Sequence, residues 1–262
     1  MPAMPSTAAA ARPAVFSSIA PDAAGMPLYR AAKRALLRAI EDGDIAPGAA
    51  LPSEAALAAS LGVAVGTLRH AVDELVAEHI LVRRQGRGTY VATHNADRFL
   101  FQFFHVERSD GVRDAPEVAL LSFERARADD GVAAGLDMRP GDPVFAVENQ
   151  LSLQGRAVVH DRLWLPAVLF KGLTEKRLRE RPSTLYHLYQ TAFGITVLRA
   201  LERARAVVAD RGAARVLGVA PGSPVMQVRR SALTFGDKVV ELRLSTINTT
   251  QHEYVQQLSR PA

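Results

Sequence analysis

Apolar side chains recur at helical spacing in three segments near the start of the chain. In each segment they fall three or four positions apart, which places them on one face of a helix. We therefore predict three helices, over residues 28–42, 54–61 and 65–78. Ser53 has the side chain of an N-cap for the second helix, and Gly62 suits the left-handed residue that ends it.

Two β-prone segments follow the third helix directly. Residues 80–84 and 88–92 are joined by Gln85-Gly86-Arg87, a short glycine-containing connection of the kind that closes a hairpin. The order helix, helix, tight turn, helix and hairpin is typical of a winged helix-turn-helix domain, which we assign to residues 26–92.

The rest of the chain is richer in strand patterns. We predict strands over residues 99–106, 118–127, 144–153, 157–165, 195–208, 225–235 and 238–247, and helices over 129–136, 175–179, 184–193 and 210–217. Long strands joined by short turns favour a largely antiparallel sheet with flanking helices. The predicted fold class is α+β, with the second domain over residues 99–258.

An internal repeat lies within this second domain. Residues 128–163 match residues 209–244 at a constant offset of 81, with 15 identities in 36 positions. Each copy reads as helix, Pro-Gly turn, strand, glycine turn and strand. Two copies are too few for a solenoid, so the repeat suggests a domain with pseudo-twofold symmetry.

Composition limits the class of protein but does not indicate its function. The formal net charge is +5, which permits a polyanionic partner without requiring one. There are no cysteines and no apolar run of about 18 residues, so we expect a cytoplasmic protein with neither disulfides nor a membrane span. Residues 1–25, rich in Ala, Pro and Ser, predict a disordered tail, and the polar residues 93–98 predict a linker.

The outward side of the third helix carries Gly66, Thr67, Arg69 and His70. A helix in the major groove reads bases with its first turns, and small residues near its start allow close approach. Taken alone, Arg69 and His70 are more often a solvated helix face. Residues 28–92 carry eight Lys and Arg against seven Asp and Glu, so local charge gives little support.

The hairpin tip is short and basic. Arg87 between Gly86 and Gly88 is able to reach the minor groove or the phosphates, although a Gly-Arg-Gly turn alone is usually only a turn.

The first domain resembles the DNA-binding domain of GntR-family regulators. The resemblance rests on Leu51-Pro52-Ser53-Glu54, Leu61-Gly62-Val63, Thr67-Leu68-Arg69 and the run from Arg84 to Val91, in order and at family spacing. It implies binding to double-stranded DNA at a pseudo-palindromic operator by a homodimer. The DNA-binding set that we predict is Ser53, Glu54, Gly66, Thr67, Arg69, His70, Arg84, Gly86, Arg87 and Gly88.

Two positions depart from the family pattern. The family often has an arginine where this chain has Ala55, and Ser-Arg where it has Ala64-Val65. Both arginines contact DNA in the family, so their absence predicts a changed operator or weaker binding. The loss of serine at position 64 also removes an N-cap, which is worth about 1 kcal/mol.

The second domain resembles the UTRA effector domain of one GntR branch. The resemblance is clearest at residues 158–166, 183–186, 193–195 and 217–230, and at Val240-Glu241. It implies a fold similar to chorismate lyase and a small-metabolite effector that changes the affinity for DNA. The family's ligand positions fall on Asn149, Leu151, Asp161, Glu241 and Ile247.

These positions limit the effector. The family's sugar-phosphate sensors have arginines where this chain has Asn149 and Leu151, so we do not expect a sugar phosphate in the same pose. Asp161 and Glu241 are either hydrogen-bond acceptors for the effector or ordinary surface carboxylates. Arg230, the repeat equivalent of Asn149, either serves the pocket or pairs with a carboxylate.

The sequence predicts no catalytic residue, metal site or cofactor, because its seven histidines show no ligand spacing and Gly86-Arg87-Gly88 does not join a strand to a helix. The function that we predict is a ligand-responsive transcription regulator, acting as a repressor. Two alternatives stay open: a chorismate-lyase-like enzyme, and a ligand-binding module with degenerate DNA binding.

Overall fold

A computed structural model describes residues 26–94, 102–181 and 183–256. The chain divides into two compact units between Thr93 and His94. The predicted tail and most of the predicted linker lie outside the described residues. Within the described part, no single helix is long and apolar enough to cross a membrane, although the second and third helices, bent by 110°, pass that test as a pair by length and composition.

The first unit has the order that the sequence predicts. Its elements are α1 (Leu28–Glu41), α2 (Glu54–Leu61), α3 (Val65–Ala77), β1 (Leu81–Arg84) and β2 (Gly88–Val91). The three helices pack through fully buried side chains, among them Leu36, Leu57, Leu61, Leu68 and Leu75. Strands β1 and β2 pair antiparallel as the wing.

The ends of these helices follow the capping chemistry. The Ser53 hydroxyl accepts a hydrogen bond from the Ala56 amide at 3.2 Å, and Gly62 is left-handed with φ 67°. Ala64 is the N-cap residue of α3 and provides no side-chain cap, because a methyl group cannot accept a hydrogen bond. Helical spacing would continue the core stripe of Leu68, Val72 and Leu75 to His79, which makes this histidine a predicted core residue; in the structure it lies beyond the end of α3, exposed and with φ 57°.

The second unit is a six-stranded antiparallel sheet with short helices on both faces. Its elements are β3 (Val106–Arg108), β4 (Glu117–Arg127), α4 (Asp130–Leu136), β5 (Pro143–Leu153), β6 (Arg156–Pro166), α5 (Glu175–Arg179), α6 (Leu185–Phe193), β7 (Arg199–Val208), α7 (Arg211–Leu217), β8 (Pro224–Leu233), a 3-10 turn (Phe235–Asp237), β9 (Val239–Ile247) and β10 (His252–Tyr254). The strand order in the large sheet is β4-β5-β6-β9-β8-β7.

The repeat produces the predicted pseudo-twofold symmetry. Each copy also includes the strand before its helix, so β4-α4-β5-β6 is matched by β7-α7-β8-β9. The two copies meet where β6 pairs with β9. In that register Arg162 lies opposite Leu244 and Leu163 opposite Arg243, and the offset of 81 exchanges these two pairs.

The two faces of the sheet have separate cores. On one face, α5 and α6 cover a cluster that includes Phe145, Leu163, Tyr186 and Val240. On the other face, α4 and α7 pack through their own small clusters. Polar side chains that point to the face covered by α5 and α6 are therefore buried beneath α6, where they need hydrogen-bond or ion-pair partners.

The start of the second unit differs from the predicted strand over residues 99–106. In its described part, only Val106 belongs to a strand, and β3 pairs with β10, which the sequence did not predict. Burial of Phe103 and Phe104 in side-chain clusters, rather than pairing with a neighbouring strand, holds this segment in place. The polar residue His94, predicted to lie in the linker, is 1% exposed and belongs to the second unit.

Candidate DNA-binding and effector-binding sites

The outward side of α3 presents an arginine that carboxylates hold in place. Arg69 Nε donates to Glu54 Oε2 at 2.8 Å, and the Arg69 side chain remains 60% exposed. Arg83 of the wing lies 2.5 Å from Asp73 and 3.6 Å from Glu54. This network ties α2, α3 and β1 together, and it gives Glu54 the role of positioning Arg69 rather than presenting a free carboxylate to DNA.

The start of α3 is open. A Cβ added to Gly66 would meet no atom within 4 Å, so the fold does not require glycine there. Val65 is 40% exposed, which is unusual for an apolar side chain, and Ser53, Ala55 and Ala64 beside it are also exposed. This surface carries small and apolar side chains at positions where the family often has arginines.

His70 is not simply solvated. Its ring stacks on Tyr29 of α1, with centroids 4.2 Å apart and planes at 11°. Its Nε2 lies 3.7 Å from Glu74, which itself accepts from Lys33 at 2.7 Å. His70 is therefore anchored against α1 while its ring stays on the outer side of α3.

The wing turn needs its glycines. Gly86 and Gly88 have φ of 68° and 104°, a region that side-chain-bearing residues avoid. The Tyr90 hydroxyl donates to the Arg87 carbonyl, and the Arg84 guanidinium lies 4.6 Å above the Tyr90 ring. Among the described residues, Arg84 and Arg87 form no ion pair with a carboxylate, so both remain available to phosphates.

The predicted effector residues share one face of the sheet. Asn149 on β5 pairs with Asp161 on β6, and Asp161 pairs with Ser245 on β9, so the three form a row across the strands. Arg243 and Glu241 lie two and four positions before Ser245 on β9. The alternation of a strand places all of them on the α6 side.

Arg243 is the centre of a buried charged group. Its guanidinium donates to Asp161 at 3.1 Å and to Glu241 at 2.9 Å and 3.2 Å. Glu241 also accepts from the hydroxyls of Tyr186, at 3.2 Å, and Tyr189, at 2.7 Å. Glu241 and Asp161 are 0% and 2% exposed, so neither is an ordinary surface carboxylate.

The pKa shifts follow from this enclosure. Burial alone would lower the pKa of Arg243, but the carboxylates of Glu241 and Asp161 raise it well above its usual value. Burial, followed by the charge of Glu241, raises the pKa of Tyr186 to about 12. The same causes raise the pKa of Tyr189. The group therefore holds one arginine cation between two carboxylates, with both tyrosines as donors.

A cavity of about 260 Å³ opens beside this group. Its wall contains the predicted residues Asn149 and Asp161, together with Ala115, Pro116, Val118, Leu151, Arg181, Ser183, Thr184, Leu185 and Arg243. Glu241 is not in this wall. Arg230, opposite Arg243 in the sheet, is not in this wall either: it pairs with Glu202, donates to the Phe103 carbonyl, and borders an adjoining space of about 30 Å³ that shares Leu151, Asp161 and Arg243 with the larger cavity.

The sequence reading missed Arg243, Arg181 and the two tyrosines of α6. Arg243 left a signal, because Glu241, Arg243 and Ser245 are polar at alternate positions of a strand whose intervening residues are mostly apolar. Arg181 left none, since it lies in a connection between helices and reaches the cavity only through the fold.

Comparison with protein families decides the identity. Residues 28–91 match the family of bacterial regulatory proteins named gntR, and residues 112–253, more than half of the chain, match the UTRA domain. The chain belongs to the GntR family, in its UTRA branch. This GntR protein is therefore a DNA-binding transcription regulator with an effector domain, as the sequence predicts.

Named relatives agree with this assignment. The regulator is 29% identical over 231 residues to the mannosyl-D-glycerate transport/metabolism system repressor MngR of Escherichia coli (strain K12), covering 87% of this chain and 94% of that protein. It is 29% identical to the histidine utilization repressor of Pseudomonas putida, over 83% and 87% of the two chains. Both relatives are named as repressors.

A solved structure matches the second unit. The ligand-binding domain of a GntR-family transcriptional regulator from Bordetella bronchiseptica is 34% identical, with a TM-score of 0.58, and covers 61% of this chain and 99% of that domain.

Proposed function

We propose that this regulator is a repressor that binds a pseudo-palindromic operator as a homodimer in the cytoplasm and changes its affinity for that operator when a small metabolite enters the cavity. The observation that carries the proposal is the position of α6. Leu185, at the start of this helix, borders the cavity. Side chains later in the same helix bond to His94, the first residue after the DNA-binding unit.

On the DNA side, α3 lies in the major groove, where Arg69 contacts a guanine edge or a phosphate. Gly66 and Thr67 allow the backbone to approach the bases, and the other predicted residues position the helix. Arg87 at the wing tip binds the minor groove or the phosphates, and Arg84 supports it. The missing arginines at positions 55 and 65 alter the operator rather than abolish binding, since Arg69, Arg84 and Arg87 remain.

On the effector side, both backbone groups of His94 are held by α6. The His94 amide donates to Gln190 Oε1 at 3.0 Å, and the His94 carbonyl lies 2.9 Å from His187 Nδ1. The His94 ring also packs edge-on against Tyr186, with centroids 5.7 Å apart. A ligand that shifts α6 must strain or release this attachment, which favours one arrangement of the DNA-binding units over another.

The relatives suggest what kind of operon is controlled. MngR and the histidine utilization repressor are named for the metabolism of mannosyl-D-glycerate and of histidine. We propose by analogy that this regulator controls genes for the breakdown or transport of its own effector.

The test is a pull-down of genomic DNA fragments with the purified protein near physiological salt, followed by footprinting of the enriched sites. A discrete pseudo-palindrome next to a metabolic operon is the expected result. Uniform binding without a motif, lost as salt rises, would contradict the proposal and favour the alternative of degenerate DNA binding.

A further inference from the structure

Arg181 faces the effector cavity with its charge uncompensated. It lies in the connection between α5 and α6, is partly buried, and donates to the carbonyl of Leu178. Among the described residues, no carboxylate lies within ion-pair distance of its guanidinium. Burial lowers the pKa of Arg181; Tyr189 opposes this effect, and the positive charge of Arg243 adds to it. A half-buried cation of this kind is costly unless an anion comes to it.

A buried acceptor lies in the wall of the same cavity. Asn149 is 5% exposed, and its Oδ1 accepts no hydrogen bond from the described residues. Buried carbonyl oxygens are nearly always bonded, so this atom needs a donor from outside the chain. The neighbouring carboxylate of Asp161 is an acceptor and supplies no such donor; its two oxygens each accept one hydrogen bond, from Arg243 and from Ser245.

From these two groups we infer that the effector is a small carboxylic acid that also carries a hydroxyl or amino group. This inference rests on the proposed function, since it concerns the same cavity. The carboxylate binds the guanidinium of Arg181, and the hydroxyl or amino group donates to Asn149 Oδ1. The volume limits the molecule to a compact metabolite, since a cavity of about 150 Å³ already holds benzene.

The charges favour a carboxylate over a phosphate. Arg243 is already bonded to two carboxylates, which leaves Arg181 as the cation of the cavity wall that is open to a ligand. One guanidinium fork matches the two oxygens of one carboxylate. A phosphate dianion would bring a second charge with no second cation, and it would approach the carboxylate of Asp161.

The experiment measures binding of a defined panel to the full-length protein by thermal shift and calorimetry. The panel contains hydroxy and amino acids such as glycerate, lactate and the common α-amino acids. For each acid it includes the matched primary amide and, where one exists, the acid without the hydroxyl or amino group. Glycerol 3-phosphate represents the phosphates.

We expect at least one of the acids to stabilise the protein, and its amide to fail. Arg181→Gln should weaken that binding by about tenfold or more, because a charge-assisted bidentate contact is lost. Arg215→Gln removes the same charge from an exposed position on α7 and should leave it unchanged. Asn149→Leu should weaken binding of the hydroxy or amino acid but not of its counterpart without that group.

Two results would overturn the inference. One is that no acid in the panel stabilises the wild type more than it stabilises Arg181→Gln. The other is that the phosphate or a neutral amide binds best. Operator binding without ligand shows which idea has failed. If the wild type and Arg181→Gln both bind an operator, these results reject only the carboxylate assignment. If the wild type binds no operator, the proposed function itself is rejected.

Discussion

At the scale of single residues, this protein uses arginines in two different environments. The Arg69 side chain is 60% exposed and held by one partly exposed carboxylate, so it can exchange that partner for DNA at little cost. The Arg243 side chain is 7% exposed and enclosed by Asp161 and Glu241, so losing either partner would leave a buried charge. The first arginine is suited to recognition and the second to holding a fold together.

Arg69→Ala should weaken operator binding by at least about tenfold, because one good contact to a base edge is worth about 1–3 kcal/mol. Electrophoretic mobility shifts on the selected operator give the measurement. Arg34→Ala removes another exposed arginine, from α1, and serves as the control. Unchanged affinity in Arg69→Ala would reject the assignment of α3 as the recognition helix.

Glu241→Ala should destabilise the second unit by about 3–5 kcal/mol, since it leaves Arg243 buried with one carboxylate and deprives both tyrosines of an acceptor. Urea unfolding followed by circular dichroism measures the change. Glu124→Ala on the exposed side of β4 should change stability by less than about 0.5 kcal/mol. A loss of similar size in both variants would show that the buried group contributes little.

At the scale of elements, α6 contributes to the cavity wall and also contacts Glu241 and His94. Thr184 caps the helix through the His187 amide at 3.2 Å and also lies in the cavity wall. The buried side of the helix carries Tyr186, Tyr189 and Gln190, which reach Glu241 and His94. A displacement at one end of this nine-residue helix is therefore transmitted to the other end.

Gln190→Ala should uncouple the effector from the DNA without abolishing either activity. The variant loses the side chain that accepts from the His94 amide, so we expect operator affinity to change less on addition of the effector. The affinity for the effector itself should fall by no more than about threefold, because Gln190 is outside the cavity wall. Thr191→Ala, on the exposed side of α6, is the matched control. An unchanged response in Gln190→Ala would contradict the proposed role of α6.

The small sheet of β3 and β10 should make stability depend on pH. Burial lowers the pKa of His105, which precedes β3, and that of His252 in β10, so the folded state binds these two protons less readily than the unfolded chain does. The unfolded chain takes up these protons near pH 6.5. The free energy of unfolding should therefore be constant above about pH 7 and fall as the pH drops below about 6.5.

Thermal unfolding at pH 7.5 and pH 5.5, both about one unit from that pKa, tests this dependence. His105→Gln should show a smaller drop than the wild type, and His79→Gln, which alters an exposed histidine, should show the full drop. Equal drops in all three proteins would mean that His105 does not contribute.

At the scale of the whole molecule, the second unit is internally symmetric, and its six-stranded sheet has an edge strand on each side. The outer strands β4 and β7 are pseudo-symmetry mates, and each exposes large apolar side chains, Val118 and Leu121 on the first and Leu201 and Val208 on the second. Exposed apolar residues on edge strands favour association with another chain.

We expect the protein to be a dimer by light scattering and to protect two half-sites about one helical turn apart. A duplex with only one half-site should bind markedly more weakly than the full operator. A monomeric mass together with equal affinity for the two duplexes would contradict the homodimer.

The sequence by itself determined most of the elements, their order and the internal repeat, whereas the DNA-binding surface stays a prediction. These features are local, because helical spacing, capping serines and turn glycines act over a few residues. Asn149 and Asp161 were named from family positions, and the structure places them opposite each other on neighbouring strands. Within the described part of the strand predicted over 99–106, residues 102–105 are not in a strand, because side-chain burial outweighed local β propensity.

Only the tertiary structure decided which polar groups meet. Arg243 and Asp161 are 82 residues apart, and His94 and Gln190 are 96 apart, so no local pattern could pair them. The enclosure of Glu241, the uncompensated charge of Arg181 and the attachment of His94 all depend on how α6 packs on the sheet. Buried polar side chains must find partners wherever the fold brings them, and that requirement is not written in the spacing of the residues.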